Sequence, residues 1–243
     1  MKHRFFLIIL LAMLVASLAF AGGKDCRFTT KDGVEIVGSL WMPDRDHAPG
    51  VILLHMLGRD RSTWDDFAEK LANQGYAVVS IDFRGHGEST KRGDSTLNYK
   101  EFSDDDFRKM TLDVQPVLDF FRDDRRIDST RIVIIGASIG ANVALQVAAN
   151  DPAVRAVVLL SPGKTYHGVR TESAMLDYGK RAVLIAASEE DKYAAQSSRD
   201  LKELAQGTSR LLMMKNVGHG TNMLIQDPAL EDEMINWLEV QLQ

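Results

Sequence analysis

Ser138 lies at the centre of the pentapeptide Gly136-Ala137-Ser138-Ile139-Gly140. A run at 131–135 that contains four β-branched residues precedes it, and a stretch with helical spacing at 141–149 follows it. Glycines on both sides permit a turn so sharp that a strand and a helix meet closely. A serine in such a turn has a strained backbone, at a cost of about 1–3 kcal/mol, and its hydroxyl projects from the sheet edge. The pattern therefore predicts a nucleophilic serine.

A serine hydroxyl is a weak nucleophile and needs a neighbouring base, which a histidine usually provides. The chain has six histidines, and His219 stands between Gly218 and Gly220 after the last apolar run. Flanking glycines would let this loop carry the imidazole over the sheet edge. In the order serine, acid, histidine that accompanies this motif, only His219 is preceded by an acid at a strand end. His219 is the predicted base.

The acid that orients the histidine should follow the apolar run 182–187, where Glu189, Glu190 and Asp191 compete. The next helix is expected to begin near Ala194, which places Asp191 in the loop before it. The shorter aspartate side chain also suits a fixed hydrogen bond to a histidine Nδ1. Asp191 is therefore the predicted acid, and Glu190 is the alternative.

Short apolar runs separated by helical stretches position these residues. The sequence predicts an α/β fold with right-handed crossovers, in which functional groups collect at the carboxyl ends of parallel strands. The sequence has an acidic cluster, which is typical of a solvated helix start rather than a metal site, at Asp104, Asp105 and Asp106. A hairpin of strands 27–30 and 34–41 comes first, followed by runs at 51–54, 77–81, 132–135, 154–160, 182–187 and 209–213, with helices expected at 64–73, 104–121, 141–150, 194–206 and 230–242.

The N-terminus has the pattern of a signal peptide, with basic residues before an apolar stretch at 5–21. Ala19 and Ala21 are the small residues that a signal peptidase reads, so cleavage is expected before Gly22. We therefore expect residues 1–21 to be a signal peptide, residues 25–243 to form a single domain, and the protein to be exported, either periplasmic or secreted. An uncleaved N-terminal membrane anchor is the alternative, because seventeen residues is at the lower limit of a membrane span.

The composition narrows the classes of partner. The chain carries 34 acidic against 29 basic side chains, a formal net charge of −5, and no clustered basic surface, so nucleic acid is not an expected partner. After signal cleavage no stable membrane insertion is expected. Cys26 is the single cysteine, so it is either an idle thiol or an intermolecular one. The oligomeric state is not predicted.

Together these motifs resemble those of the α/β-hydrolase family, from residue 34 to the C-terminus. The matching features are a loop at His55, the run Asp82-Phe83-Arg84-Gly85-His86-Gly87-Glu88-Ser89, and the Ser138, Asp191 and His219 motifs. The resemblance implies a mostly parallel, eight-stranded sheet with an antiparallel second strand and helices on both faces. It also implies hydrolysis of an ester or related acyl bond with no metal or organic cofactor. The loop at 82–89 would then be a supporting turn, so His86 is not a catalytic candidate.

The same resemblance assigns the oxyanion donors to the backbone N–H groups of Leu57 and Ile139. Each such donor contributes roughly 3–4 kcal/mol to transition-state stabilisation. The family usually has His-Gly-x at this loop, whereas the chain has His55-Met56-Leu57. The sequence therefore does not predict how the Met56 side chain affects the path of this loop.

The interval 161–180 has room for one short helix, expected at 172–178, and so for little or no lid. Long acyl chains need an apolar cover to gain about 0.8 kcal/mol per buried methylene. We therefore expect a solvent-open serine and a small-molecule, short-chain ester substrate, as in small esterases or dienelactone-hydrolase-like branches. A thioesterase, peptidase or perhydrolase with the same triad, or a non-catalytic binding protein on this fold, are the alternatives.

Overall fold

A computed structural model describes residues 22–243. The expected signal peptide, residues 1–21, lies outside the described residues. Within residues 22–243, ten strands form one mixed sheet, and two more form a separate small hairpin. In chain order the strands are β1 (Lys24–Thr29), β2 (Val34–Trp41), β3 (Ala48–Leu54), β4 (Ala77–Ile81), β5 (Lys91–Arg92), β6 (Ser95–Thr96), β7 (Ile127–Ala137), β8 (Val154–Leu160), β9 (Thr165–Tyr166), β10 (Val169–Arg170), β11 (Ala182–Ser188) and β12 (Ser209–Met214).

The sheet order is β12-β11-β8-β7-β3-β4-β2-β5-β6, and β1 pairs with β2. β3, β4, β7, β8, β11 and β12 are parallel to one another, whereas β2 is antiparallel to both β1 and β4. The eight long strands match the expected number and the antiparallel second strand. The two-residue strands β5 and β6 were not predicted, because a short exposed hairpin has no hydrophobic periodicity.

The described part of the chain has eight α-helices, which lie between the strands or after the last one. They are α1 (Asp65–Asn73), α2 (Asp104–Arg108), α3 (Thr111–Asp123), α4 (Ile139–Asn150), α5 (Glu172–Tyr178), α6 (Lys192–Leu204), α7 (Asn222–Gln226) and α8 (Ala229–Gln241), and short 3-10 helices lie at Arg61–Trp64 and Tyr99–Glu101.

The helix predicted at 104–121 is wrong in one respect, because it is two helices, α2 and α3, separated at Lys109 and Met110. The break accompanies two contacts made in different places: Phe107 stacks on His167, and Asp113 bonds to Arg84. At the start of α2, Ser103 and Asp106 form a capping box, as a solvated helix start requires. Among residues 22–243, no group of acidic, histidine or cysteine side chains has the arrangement of a metal site.

In the central strands, alternate residues face two apolar layers. On β3, Ile52 and Leu54 face the layer that contains α3, α4 and α6, while Val51 and Leu53 face the layer that contains α1 and α8. Because both faces are covered, every residue of β3 and of β4 is buried. Within the described residues, no helix combines the length and apolar character needed to cross a bilayer.

The strand register brings the functional loops to one edge. Leu54 at the end of β3 is aligned with Ile81 at the end of β4 and with Gly136 near the end of β7. Further along the sheet, Ala137 pairs with Leu160, and Ser188 pairs with Met214. The loops that follow these strands therefore leave the sheet side by side.

Candidate active site

Ser138 has the strained backbone that its sequence context predicted. It is the residue before α4, with φ 56° and ψ −121°, a conformation that side-chain-bearing residues seldom adopt. A Cβ added at Gly136 would lie 2.2 Å from the carbonyl oxygen of Gly140, and one added at Gly140 would lie 2.5 Å from that of Leu54. Both glycines are therefore needed for the turn that presents the serine.

His219 and Asp191 meet at the same edge of the sheet. His219 Nδ1 donates to Asp191 Oδ2 at 2.5 Å, which places the imidazole proton on Nδ1. The other carboxylate oxygen of Asp191 accepts from the Ala194 N–H at 3.3 Å, so Asp191 is also the N-cap of α6. Two bonds from different elements thus hold the carboxylate.

Glu190, the alternative acid, is engaged elsewhere. Its Oε2 accepts from the Ser188 hydroxyl and from the Asn216 N–H, both at 2.7 Å. The hydrogen bond from Asn216 leads the causes that lower the pKa of Glu190. Glu190 therefore ties the loop after β11 to the loop after β12, and Asp191 is the carboxylate that meets His219.

Two further contacts fix the loop that carries His219. The Gly220 N–H donates to Ser161 Oγ at 2.9 Å, and a Cβ at Gly220 would lie 2.7 Å from Met56 Sδ. Met56 itself is buried. The residue that departs from the family pattern thus fills the space between its own loop and the His219 loop.

The loop after β3 is organised by His55. Its Nδ1 donates to the Met56 carbonyl oxygen at 2.8 Å, and its Nε2 accepts from the Phe83 N–H at 3.0 Å. Burial lowers the pKa of His55 to about 4, so the imidazole is neutral at pH 7. His55 is thus a structural residue that joins the loops after β3 and β4.

The expected oxyanion donors lie in two tight turns. Arg59 N–H donates to the Met56 carbonyl oxygen at 3.2 Å, and Gly58 between them has φ 71°. Gly58 is the residue that adopts the positive φ this turn needs. Methionine at position 56 therefore does not have to adopt it. Ile139 is the first residue of α4. Within residues 22–243, neither the Leu57 nor the Ile139 N–H makes a hydrogen bond. Both amides are available to an oxyanion.

The loop at 82–89 is a network of buried polar groups. Asp82 accepts from the Arg61 and Glu88 N–H groups at 2.7 and 2.8 Å, and its carboxylate also bonds to the Arg61 guanidinium. Arg84 donates from Nε to Asp113 at 2.7 Å. Burial raises the pKa of Asp113 to about 6, and the adjacent Arg84 opposes that rise. This network holds the neighbouring loops in place.

His86 is buried within this loop, as the supporting role implied by the resemblance requires. Its ring stacks on Tyr99 at 3.9 Å, and its Nδ1 lies 3.1 Å from the Arg84 carbonyl oxygen. Burial lowers its pKa to about 4. His86 lies on the loop after β4, and its partners there are Arg84, His55 and Tyr99.

The prediction of a solvent-open serine is wrong, because Ser138 exposes only 7% of its surface. The connection 161–181 does hold the one short helix expected at 172–178, but it also forms the β9–β10 hairpin. Tyr166 of that hairpin lies next to the site, with its ring perpendicular to the His219 imidazole at 6.2 Å. Tyr166 could not be predicted as a site residue, since a two-residue strand has no periodicity.

One cavity of about 780 Å³ includes none of Ser138, Asp191 and His219 in its lining. It is lined by residues of α2, α4, α5 and the β9–β10 hairpin. Its lining includes Asp104, Arg108, His167 and Arg170 but not Ser138. The candidate active site is therefore the sheet edge at Ser138 rather than this cavity.

A mostly parallel sheet covered by helices on both faces, with a strained serine after one central strand and an Asp–His pair on the loops after two later strands, defines an α/β hydrolase. Comparison with known families agrees. The chain belongs to the family described as "Serine aminopeptidase, S33", whose model matches residues 46–220.

Three relatives illustrate the likeness. The quorum-quenching protein AidA of Acinetobacter baumannii is 30% identical over 140 residues, which are 57% of this chain and 43% of AidA. An acetyl xylan esterase from Paenibacillus sp. R4 superposes with a TM-score of 0.74 at 17% identity, over 89% of this chain and 83% of that enzyme. A dienelactone hydrolase from Anabaena variabilis superposes with a TM-score of 0.71 at 21% identity, over 92% and 100%. At these sequence identities the two solved structures show a shared fold and nothing more.

Proposed function

We propose that this protein is a serine hydrolase that cleaves short-chain carboxylic esters through an acyl-enzyme. The observation that carries the proposal is the 2.5 Å hydrogen bond between His219 Nδ1 and Asp191 Oδ2, on loops next to a serine in a strained turn. In this arrangement the acid fixes the tautomer of the base, and the Nε2 of His219 is the nitrogen that accepts a proton.

The mechanism follows from these roles. His219 takes the proton of Ser138 as the serine oxygen attacks the acyl carbon, and the Leu57 and Ile139 N–H groups hold the oxyanion. His219 then gives this proton to the leaving alcohol, and the acyl group remains on Ser138. Water repeats the sequence and releases the acid. Asp191 stabilises the imidazolium in each half-reaction.

The preference for short acyl chains rests on the cover over the site. The connection between β8 and β11 supplies two strands of two residues and one helix of seven residues. That is little apolar surface for a long chain, each methylene of which needs burial to contribute about 0.8 kcal/mol. Two enzymes with the same fold are named for small substrates: one for an acetyl ester and the other for a dienelactone.

Replacement of the nucleophile tests the proposal. We expect Ser138→Ala to lower kcat for p-nitrophenyl acetate by several orders of magnitude and to abolish labelling by a fluorophosphonate. Ser198→Ala is the matched control, because Ser198 is a buried serine on α6 whose hydroxyl has no hydrogen-bond partner among the described residues. It should retain both activity and labelling.

A panel of p-nitrophenyl esters of increasing acyl length, with a thioester and an aminoacyl anilide, tests the substrate class. Turnover should fall as the acyl chain lengthens. Turnover that rises toward long chains, or an anilide cleaved faster than every ester, would contradict the short-chain ester assignment. A protein that neither labels nor turns over any member of the panel would instead be a binding protein on a hydrolase fold.

A further inference from the structure

The β9–β10 hairpin is fixed to the helix that follows the candidate acid. Tyr193, in the first turn of α6, uses its hydroxyl twice on one residue: it accepts from the Thr165 N–H at 3.0 Å and donates to the Thr165 carbonyl oxygen at 2.9 Å. This pairing holds the backbone next to Tyr166. The position of Tyr166 is therefore set by the same helix that Asp191 caps.

The ring of Tyr166 lies between two aromatic neighbours. It meets Tyr193 at 5.6 Å, with 69° between the ring planes, and His219 at 6.2 Å, with 88° between the planes. A Cβ at Gly163 would lie 2.7 Å from the Tyr166 ring and 2.8 Å from that of Tyr193. Glycine at 163 thus leaves the space that both rings occupy.

The hydroxyl of Tyr166 lies beside the nucleophile. It donates to the Ser161 carbonyl oxygen at 3.3 Å, a long and weak bond, and the Ser138 side chain is among the groups that interact with it. Burial raises the pKa of the phenol well above its usual range. The phenol therefore keeps its proton at neutral pH and can act as a hydrogen-bond donor to a reacting atom.

These contacts indicate which atom of the reacting ester the Tyr166 phenol would lie near. In the tetrahedral intermediate, the Ser138 oxygen and the leaving oxygen are bonded to the same carbon, and His219 must reach both of them. A donor that lies beside Ser138 and meets the His219 ring edge-on is thus on the leaving-group side. The backbone N–H groups of Leu57 and Ile139 serve the carbonyl oxygen instead.

We propose that the Tyr166 hydroxyl donates a hydrogen bond to the leaving-group oxygen, and that the site is thereby adapted to esters of aliphatic alcohols. This inference rests on the proposed ester hydrolysis. As the bond between the acyl carbon and the leaving oxygen breaks, its electron pair passes to that oxygen, and the carbonyl re-forms from the oxyanion. The oxygen takes the proton of the His219 imidazolium, while Tyr166 keeps its own proton. In the second half-reaction the attacking water occupies the same position.

The test compares two acetate esters that differ in their need for help at the leaving oxygen. An ethoxide is a poor leaving group that needs a proton and a donor, whereas p-nitrophenoxide leaves with little assistance. We expect Tyr166→Phe to lower kcat/KM for ethyl acetate by about tenfold or more and to change kcat/KM for p-nitrophenyl acetate far less. The phenylalanine ring keeps the contacts with Tyr193 and His219, so Tm should stay close to that of the wild-type protein.

Tyr193→Phe is the matched control, since it removes a phenol that anchors the hairpin. It should lower Tm and reduce turnover of both esters by similar factors. The inference is overturned if Tyr166→Phe affects both esters equally, if it affects neither, or if the wild-type enzyme does not hydrolyse the alkyl ester. Ser138→Ala separates the two proposals, because ester hydrolysis that survives in that variant removes the proposed function itself.

Discussion

At the scale of single residues, the candidate site combines side chains whose types were predictable with one whose place was not. Ser138, Asp191 and His219 could be named because glycine requirements and chain order constrain them strongly. Tyr166 could not, because its place depends on the path of a hairpin with two-residue strands. The closed environment of Ser138 was mispredicted for the same reason.

Met56 carries a prediction at this scale, because its thioether packs against the loop of His219. Met56→Ala should lower the free energy of unfolding by about 2–5 kcal/mol, as truncation of a buried methionine usually does. It should also lower kcat, since the cavity allows the His219 loop to move. Urea unfolding and ester turnover measure the two effects.

Met110→Ala is the comparison for Met56→Ala. Met110 is fully buried in the apolar layer of α3, α4 and α6. It should lose comparable stability and keep the wild-type kcat. Equal loss of kcat in the two variants would contradict the role of Met56 in supporting the His219 loop.

At the scale of elements, burial on both faces made the long strands predictable. The bounds of β4 and β8 agree with the apolar runs 77–81 and 154–160. The break between α2 and α3 was missed, because both segments have helical composition and the break depends on where Phe107 and Asp113 find their partners. The local sequence pattern predicts whether a segment is a helix or a strand. It does not predict where tertiary contacts interrupt that segment.

The turn between β1 and β2 carries a pH prediction. Asp32 in that turn accepts from Arg84 at 2.8 and 3.1 Å, and these bonds lower the pKa of Asp32 from 3.8 to about 2. Because the folded state favours the ionised form, this stability is present above about pH 4 and is lost as the pH falls toward 2. With allowance for solvent screening, it amounts to about 1 kcal/mol.

Asp32→Asn should therefore lower the free energy of unfolding at pH 7 and flatten its decline between about pH 4 and pH 2, as measured by urea unfolding. Asp94→Asn is the control, because Asp94 is exposed in the β5–β6 turn and has no ion pair within residues 22–243. It should follow the wild-type curve. An unchanged slope in Asp32→Asn would refute the contribution of this pair.

At the scale of the whole molecule, strand register gathers loops that are far apart in sequence. The loops at 55–58, 161–166, 189–191 and 215–220 are joined by bonds such as those from Gly220 to Ser161 and from Asn216 to Glu190. The α/β order of the sequence predicted the shared edge, because parallel strands present their carboxyl ends together. The individual bonds between loops depend on side-chain positions that no local pattern encodes.

A covalent phosphonyl group on Ser138 should therefore slow amide hydrogen exchange in all four loops together, because a ligand bound to the folded state suppresses local opening. The turns at 74–76 and 151–153, which precede β4 and β8 at the opposite edge, should exchange as before. Ser138→Ala treated with the same reagent should show no change. Slowing confined to residues around 138 would argue against coupled loops.

Asp191 has two roles, because one of its carboxylate oxygens caps α6 while the other meets His219. The length of the loop before α6 is therefore constrained from both ends. An inserted residue would force the carboxylate to abandon either the helix or the imidazole, so natural variants of this chain should vary in length elsewhere. The position at which α6 begins thus sets the distance between the Asp191 carboxylate and the His219 imidazole.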